Sequence, residues 1–218
     1  MSEMTPEQFD TYVSEYRGRR LPEGRFASFD YCFNYVQGAQ AAGPSAFQTI
    51  GRGPQLQTSC LQLGAYLASW GMYRGKATLL QRSVKSLVPA IEAIVSAPDL
   101  IWSIDVDTYN EGSDAILAVG SDLRAALPGD SSDTLVTKVM LGVFGCVPAF
   151  DRYVRKGLGV HALNTRALRR VADFYSAHRP DVDRHVIQTI DFVTGMDTTR
   201  VYTKAKVIDM AFFIAGAA

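Results

Sequence analysis

Apolar residues recur at helical spacing along nearly the whole chain, which restricts the fold to helices packed on helices. After Pro54, Leu56, Cys60, Leu63, Leu67 and Trp70 trace one buried stripe. Cys60, Gly64 and Ala68 trace a second stripe of small residues that lets a neighbouring helix approach closely, so the helix from Pro54 to Trp70 is expected at the centre. Thr5-Pro6-Glu7-Gln8 reads as a cap, a first-position proline and an acidic first turn, opening a helix to about Tyr16. A basic link over 17–25 follows, then an aromatic-rich helix from about Ser28 to Ala41. Gly71 and Gly75 bracket a break, and a helix from Leu79 to Ser96 bends or divides at Pro89.

Further helices are expected over 113–127, from Ser131 or Ser132 to about Phe144, and from Pro148 to Lys156. Asn164 caps the next, and Pro180 opens one that buries Val182, Val186, Ile190 and Val193. The last, over about 199–215, buries Val201, Ala205, Ile208 and Phe212. Only Leu100 to Val106 reads as a strand, and it is too short and isolated for a sheet. The expectation is an all-α, single globular domain over residues 1–218 with eight or nine helices.

Charge is balanced in sum and segregated along the chain. Lys plus Arg and Asp plus Glu each number 22, so no net field draws in nucleic acid or lipid. Yet residues 31–91 hold no acid while carrying Arg52, Arg74, Lys76, Arg82 and Lys85. Residues 97–133 hold eight acids against Arg124 alone, and residues 151–185 are basic again. Cys32, Cys60 and Cys146 are far apart, sit among apolar residues and show no disulfide or zinc spacing, which points to a reducing compartment. The polar opening MSEMTPEQFD does not read as a signal peptide, and the longest apolar run, Val139 to Phe150, is too short for a bilayer. A cytoplasmic location with no membrane partner is expected.

The segment with the most chemistry is 134–154, TLVTKVMLGVFGCVPAFDRYV. Lys138 falls off the face made by Leu135, Val139 and Gly142-Val143, so it either stays in solvent or points into a cleft floored by the glycine-bearing turn. A lysine after Thr, a hydrophobic run and then Pro-x-x-Asp-Arg-x-Val resembles the corresponding segment of helix–hairpin–helix DNA glycosylase relatives. The resemblance covers residues 131–158; the Leu-Pro-Gly-x-Gly hairpin of that superfamily is absent, and Phe144-Gly145-Cys146-Val147-Pro148 stands in its place. It implies an all-helical fold and a nucleic-acid-facing cleft, with Asp151 as the catalytic or helix-capping acid and Lys138 near a phosphate or base. Such an aspartate stabilises a cationic sugar, and such an amine attacks its anomeric carbon. The plainer alternative has Asp151 favouring its helix N-terminus and pairing with Arg155. As a whole the chain resembles uncharacterised bacterial helical families, a resemblance that supplies no activity.

Around this segment, Trp70, Tyr73, Arg74 and Lys76, with Arg152 and Arg155, are candidate nucleic-acid contacts, aromatics for bases and cations for phosphates. The alternative is an exposed turn whose cationic stems cover apolar surface. Asp30, Tyr31 and Asn34 either line a small-molecule pocket or form a satisfied core network. Tyr202, Lys206, Asp209 and Phe213 share a face, and a Lys–Asp pair at that spacing is expected as a surface bridge. The strings 178–185 and 105–112 do not make metal sites: the first is a helix start, and the second misplaces its glycine and a ligand. No cofactor is implied. Two functions follow, a nucleic-acid-acting protein taking DNA or RNA, glycosylase-like through Lys138 and Asp151, or a non-enzymatic regulatory module that contacts a protein through Asp99 to Asp133. A small-molecule enzyme built on the Asp30 face is a third.

Overall fold

The computed structural model describes residues 4–217; Met1 to Glu3, part of the polar opening, lie outside the described residues. Thr5 opens α1 (Pro6–Arg19) with a reciprocal cap: its hydroxyl accepts from the Gln8 amide while the Gln8 side chain accepts from the Thr5 amide. The chain continues through α2 (Ser28–Ala41), α3 (Pro44–Ile50), α4 (Gly53–Ser69), α5 (Val88–Val95) and α6 (Tyr109–Ala126). Then come α7 (Asp133–Val143), α8 (Arg152–Leu158), α9 (Thr165–Ala177) and α10 (Arg179–Asp183). A hairpin of β1 (Gln188–Ile190) and β2 (Asp197–Val201) precedes α11 (Lys204–Ala217). One contiguous apolar core takes buried side chains from every helix. α4 packs against α2, α3, α5 and α7, while α11 packs against α1 and α8.

The structure is 69% helical, so the mainly α expectation holds, with eleven helices among the described residues rather than eight or nine. The largest departure is at 184–201. There the expected helical stripe gives way to the antiparallel hairpin, which leaves Val186 73% and Val193 87% exposed. Val, Ile and Thr crowd this stretch, and β-branched side chains favour a pleated surface. Asp191 fixes the turn, its carboxylate accepting from the Val193 and Thr194 amides and the Thr194 hydroxyl. Phe192 and Met196 are also exposed at this tip. Pro89 starts α5 instead of bending a longer helix, and residues 78–81 and 84–87 upstream are 3-10 turns. Leu100 to Val106 is likewise not a strand, lying across two 3-10 turns. No described helix is long and apolar enough to cross a membrane.

Pro148 opens no helix. Residues 144–150 form a fully buried, irregular connection between α7 and α8. Backbone polar groups removed from water must find partners, and here side chains from several elements supply them. Gln37 of α2 donates to the Val143 carbonyl, Thr203 to Gly145 and Tyr109 of α6 to Cys146. Asp209 of α11 accepts from the Ala149 amide, Thr137 accepts from Phe150, and Thr134 donates to the Phe150 carbonyl. Gly145 holds φ +71°, a left-handed conformation suited to glycine, as α7 ends.

Tyr66 of α4 crosses α7 at Gly142, where a Cβ would overlap the tyrosine ring. Gly142→Ala is therefore expected to cost about 1–3 kcal/mol by overpacking. Calorimetry should show the melting temperature lowered by several degrees; an unchanged melt would mean that the α4–α7 contact is looser than described.

Candidate functional site

Every residue of α7 from Leu135 to Val143 is buried, so Lys138 has no solvent side to escape to and is 5% exposed. Its carbonyl accepts from the Tyr66 hydroxyl at 3.0 Å, and its ammonium lies 3.6 Å from Asp151 Oδ2. Asp151 is the N-cap of α8, its Oδ1 accepting from the Tyr153 and Val154 amides at 2.9 and 3.1 Å. The carboxylate thus serves a helix end with one oxygen and the lysine with the other. The expected partner Arg155 turns away and donates to the His161 carbonyl. Burial holds Lys138 below the ordinary lysine range, against the raising influence of Asp151, and pushes Asp151 above the ordinary carboxylate range. Both shifts favour uncharged forms.

A second lysine–carboxylate pair lies beside the first. Lys206, expected at the surface, is 1% exposed, because α11 is buried continuously from Ala205 to Phe212. Its ammonium donates to Asp209 Oδ2 at 3.1 Å and to the Tyr16 hydroxyl at 2.9 Å. Asp209 spends its other oxygen on the Ala149 amide, two residues before Asp151, which links the pairs mechanically. Trp70 lies against both cations, with Lys138 5.2 Å and Lys206 5.3 Å from the ring centroid. Tyr16, Phe26 and Phe213 enclose the indole, and its buried Nε1 has no hydrogen-bond partner.

Of the expected nucleic-acid contacts, Trp70 is buried at this centre, and Arg25, outside that set, covers its ring at 5.2 Å. The Arg74 guanidinium folds onto Gly71, next in sequence to Trp70, and Lys76 is exposed beyond it. Tyr73 turns back toward Gly64 of α4. Arg152 is exposed with its guanidinium over the Tyr153 ring, and Tyr153 meets Phe213 edge-on. Arg25, Arg74 and Arg152 therefore attach to residues bordering Trp70, whereas Arg155 is occupied in closing the α8 terminus. The sequence pattern missed Tyr16 and Arg25, which carry no motif. For Lys206 there was a signal: one cation inside the otherwise apolar run Ala205 to Phe213.

The Asp30 face forms a core network. Asn34 donates to the Ile190 carbonyl and accepts from Thr189, tying α2 to the hairpin, and the Tyr31 hydroxyl donates to Pro22. Asp30 is fully buried 3.7 Å from Arg20, with no hydrogen-bond donor on either oxygen, and burial pushes its carboxyl up to about 6. Among the described residues no group of His, Cys, Asp and Glu side chains is placed to hold a metal ion. Compared with protein-family profiles, curated proteins and solved structures, the chain matches none. The arrangement itself defines what the site can do: it presents a proton-poor amine beside a proton-rich carboxylic acid, walled by aromatics.

Two measurements probe these groups. Asp151→Ala removes the cap and strands a buried ammonium, an expected cost of about 3–5 kcal/mol. Adding Lys138→Met should recover part of that loss in urea unfolding; strict additivity would show that the pair is uncoupled. Asp30 binds its proton more tightly folded than unfolded, so its contribution to stability is complete below about pH 4 and is lost as pH rises through about 6. Relative to Asp30→Asn, the wild type should lose roughly 3 kcal/mol between those limits. A gap that does not change with pH would contradict the shift.

Proposed function

We propose that the protein acts on nucleic acid through a lysine–aspartate centre of the glycosylase kind. The observation carrying the proposal is the 3.6 Å approach of Lys138 and Asp151 across the irregular turn, bordered by Trp70 and neighbouring arginines. In this reading the unprotonated Lys138 amine attacks the anomeric carbon of a nucleoside. A bond from nitrogen to that carbon forms as the glycosidic bond breaks, and the departing base leaves with the electron pair and takes up a proton. Asp151 stabilises the cationic sugar and accepts the proton released by the alkylated amine. Exposed arginines beside Trp70 supply the phosphate contacts. Lys138 is nearly enclosed, so a target base reaches it only when unstacked and with the Arg25–Trp70 cover displaced.

Filter binding of DNA and of RNA across a salt series tests the proposal, with affinity expected to fall linearly in a log–log plot. Borohydride should trap a covalent adduct on DNA carrying an abasic site, and Lys138→Met should abolish the adduct while leaving the salt-dependent binding. Absence of any affinity at low salt would remove the proposal. The second reading, a non-enzymatic module for a protein partner, draws on the exposed Phe192, Val193 and Met196 of the hairpin tip rather than on the acidic segment. It gains if nucleic-acid binding is absent.

A further inference from the structure

A groove of about 810 Å³ opens between α8, α9 and α11, on the far side of Tyr153 from Trp70. That volume falls within the range of pockets that hold drug-sized ligands. Its lining combines two chemistries. Phe174 and Phe212 meet at 4.9 Å between ring centroids, and Tyr153 stands at one end, giving flat apolar surface. Lys156 and Arg170 are exposed at its edge and are in no ion pair among the described residues. Arg170 is oriented by its Nε, which donates to the Leu158 carbonyl at 3.4 Å and leaves the two terminal nitrogens for a ligand. Asp173 is the single carboxylate on this lining. The groove is continuous with the lysine centre through a chain of rings: Tyr153 packs on Phe213 at 5.5 Å, and Phe213 on Trp70 at 5.2 Å.

We propose that this groove binds a single-stranded segment of nucleic acid, its bases against Tyr153 and Phe174 and its phosphates on Lys156 and Arg170. The inference rests on the nucleic-acid reading above and deepens it by naming the substrate class. Rings set in a concave surface offer their faces only to bases that are not already stacked in a duplex. A guanidinium with two free nitrogens matches the paired oxygens of a phosphate. An unpaired strand also spares the unstacking that a buried lysine would otherwise require.

Fluorescence anisotropy with a labelled oligothymidylate tests this on the full chain, with a duplex of equal length and thymidine monophosphate as competitors. The strand is expected to bind at least about tenfold more tightly than the duplex, and the mononucleotide to compete poorly. Lys156→Gln with Arg170→Gln, both at exposed positions, should weaken strand binding about tenfold or more and reduce the salt slope by about 1.4, at about 0.7 per phosphate contact. Thermal melting of the double variant confirms that it is folded. Salt-dependent binding that favours duplex, or that the double variant leaves intact, overturns the groove assignment alone. Competition by the mononucleotide equal to that of the strand overturns the strand assignment in favour of free nucleotides. No binding by the wild type at low salt overturns both this inference and the function on which it rests.

Discussion

The arrangement of the centre depends on one constraint: an irregular backbone segment runs through the interior, and its peptide groups must be satisfied without water. Residues 144–150 are buried throughout, and α2, α6, α7 and α11, together with Thr203, each give up a polar side chain to them. An unpaired buried amide or carbonyl costs about 1–3 kcal/mol, so these bonds are conditions of folding more than additions to it. They also decide where α8 starts. With Phe150 held at both its amide and its carbonyl by Thr137 and Thr134, Asp151 is delivered to the helix end within reach of Lys138.

The same reasoning explains why two ammonium groups persist in an aromatic interior. Removing a charge from water costs several kcal/mol per ion after relaxation. Lys206 offsets this with a carboxylate, a tyrosine hydroxyl and the faces of Tyr16, Phe29 and Trp70. Lys138 has less: a carboxylate at 3.6 Å and one indole face. The difference in solvation makes Lys138 the amine more easily deprotonated and Lys206 the structural one, although both sit beside the same tryptophan.

Much of the helical scaffold was legible in the sequence, since caps and periodicity act locally. Thr5, Ser132 and Asn164 all cap the helices that their positions announce, and the stripe of Cys60, Leu63, Leu67 and Trp70 is buried. The hairpin was illegible because the spacing of Val182, Val186, Ile190 and Val193 mimics a helical face by accident, and only tertiary bonds from Asn34 to the Ile190 carbonyl and from Tyr202 to the Ile187 carbonyl reveal the alternative. Lys138 and Asp151 were visible as residue types at a suggestive spacing. Their burial was not, because it depends on α4, α8 and α11 closing around α7 from distant parts of the chain. Lys206 and Asp209 read as a surface bridge for the same reason: spacing along one helix does not say what covers it.

Connections between helices ordinarily tolerate insertions and deletions because solvent absorbs the change. The connection over 144–150 has no such freedom. Each of its bonds reaches a different neighbour, so adding or dropping a single residue would shift every later donor and acceptor out of reach at once. Length here is specified as strictly as side-chain identity, and chains sharing this architecture should vary in composition along the segment well before they vary in its number of residues.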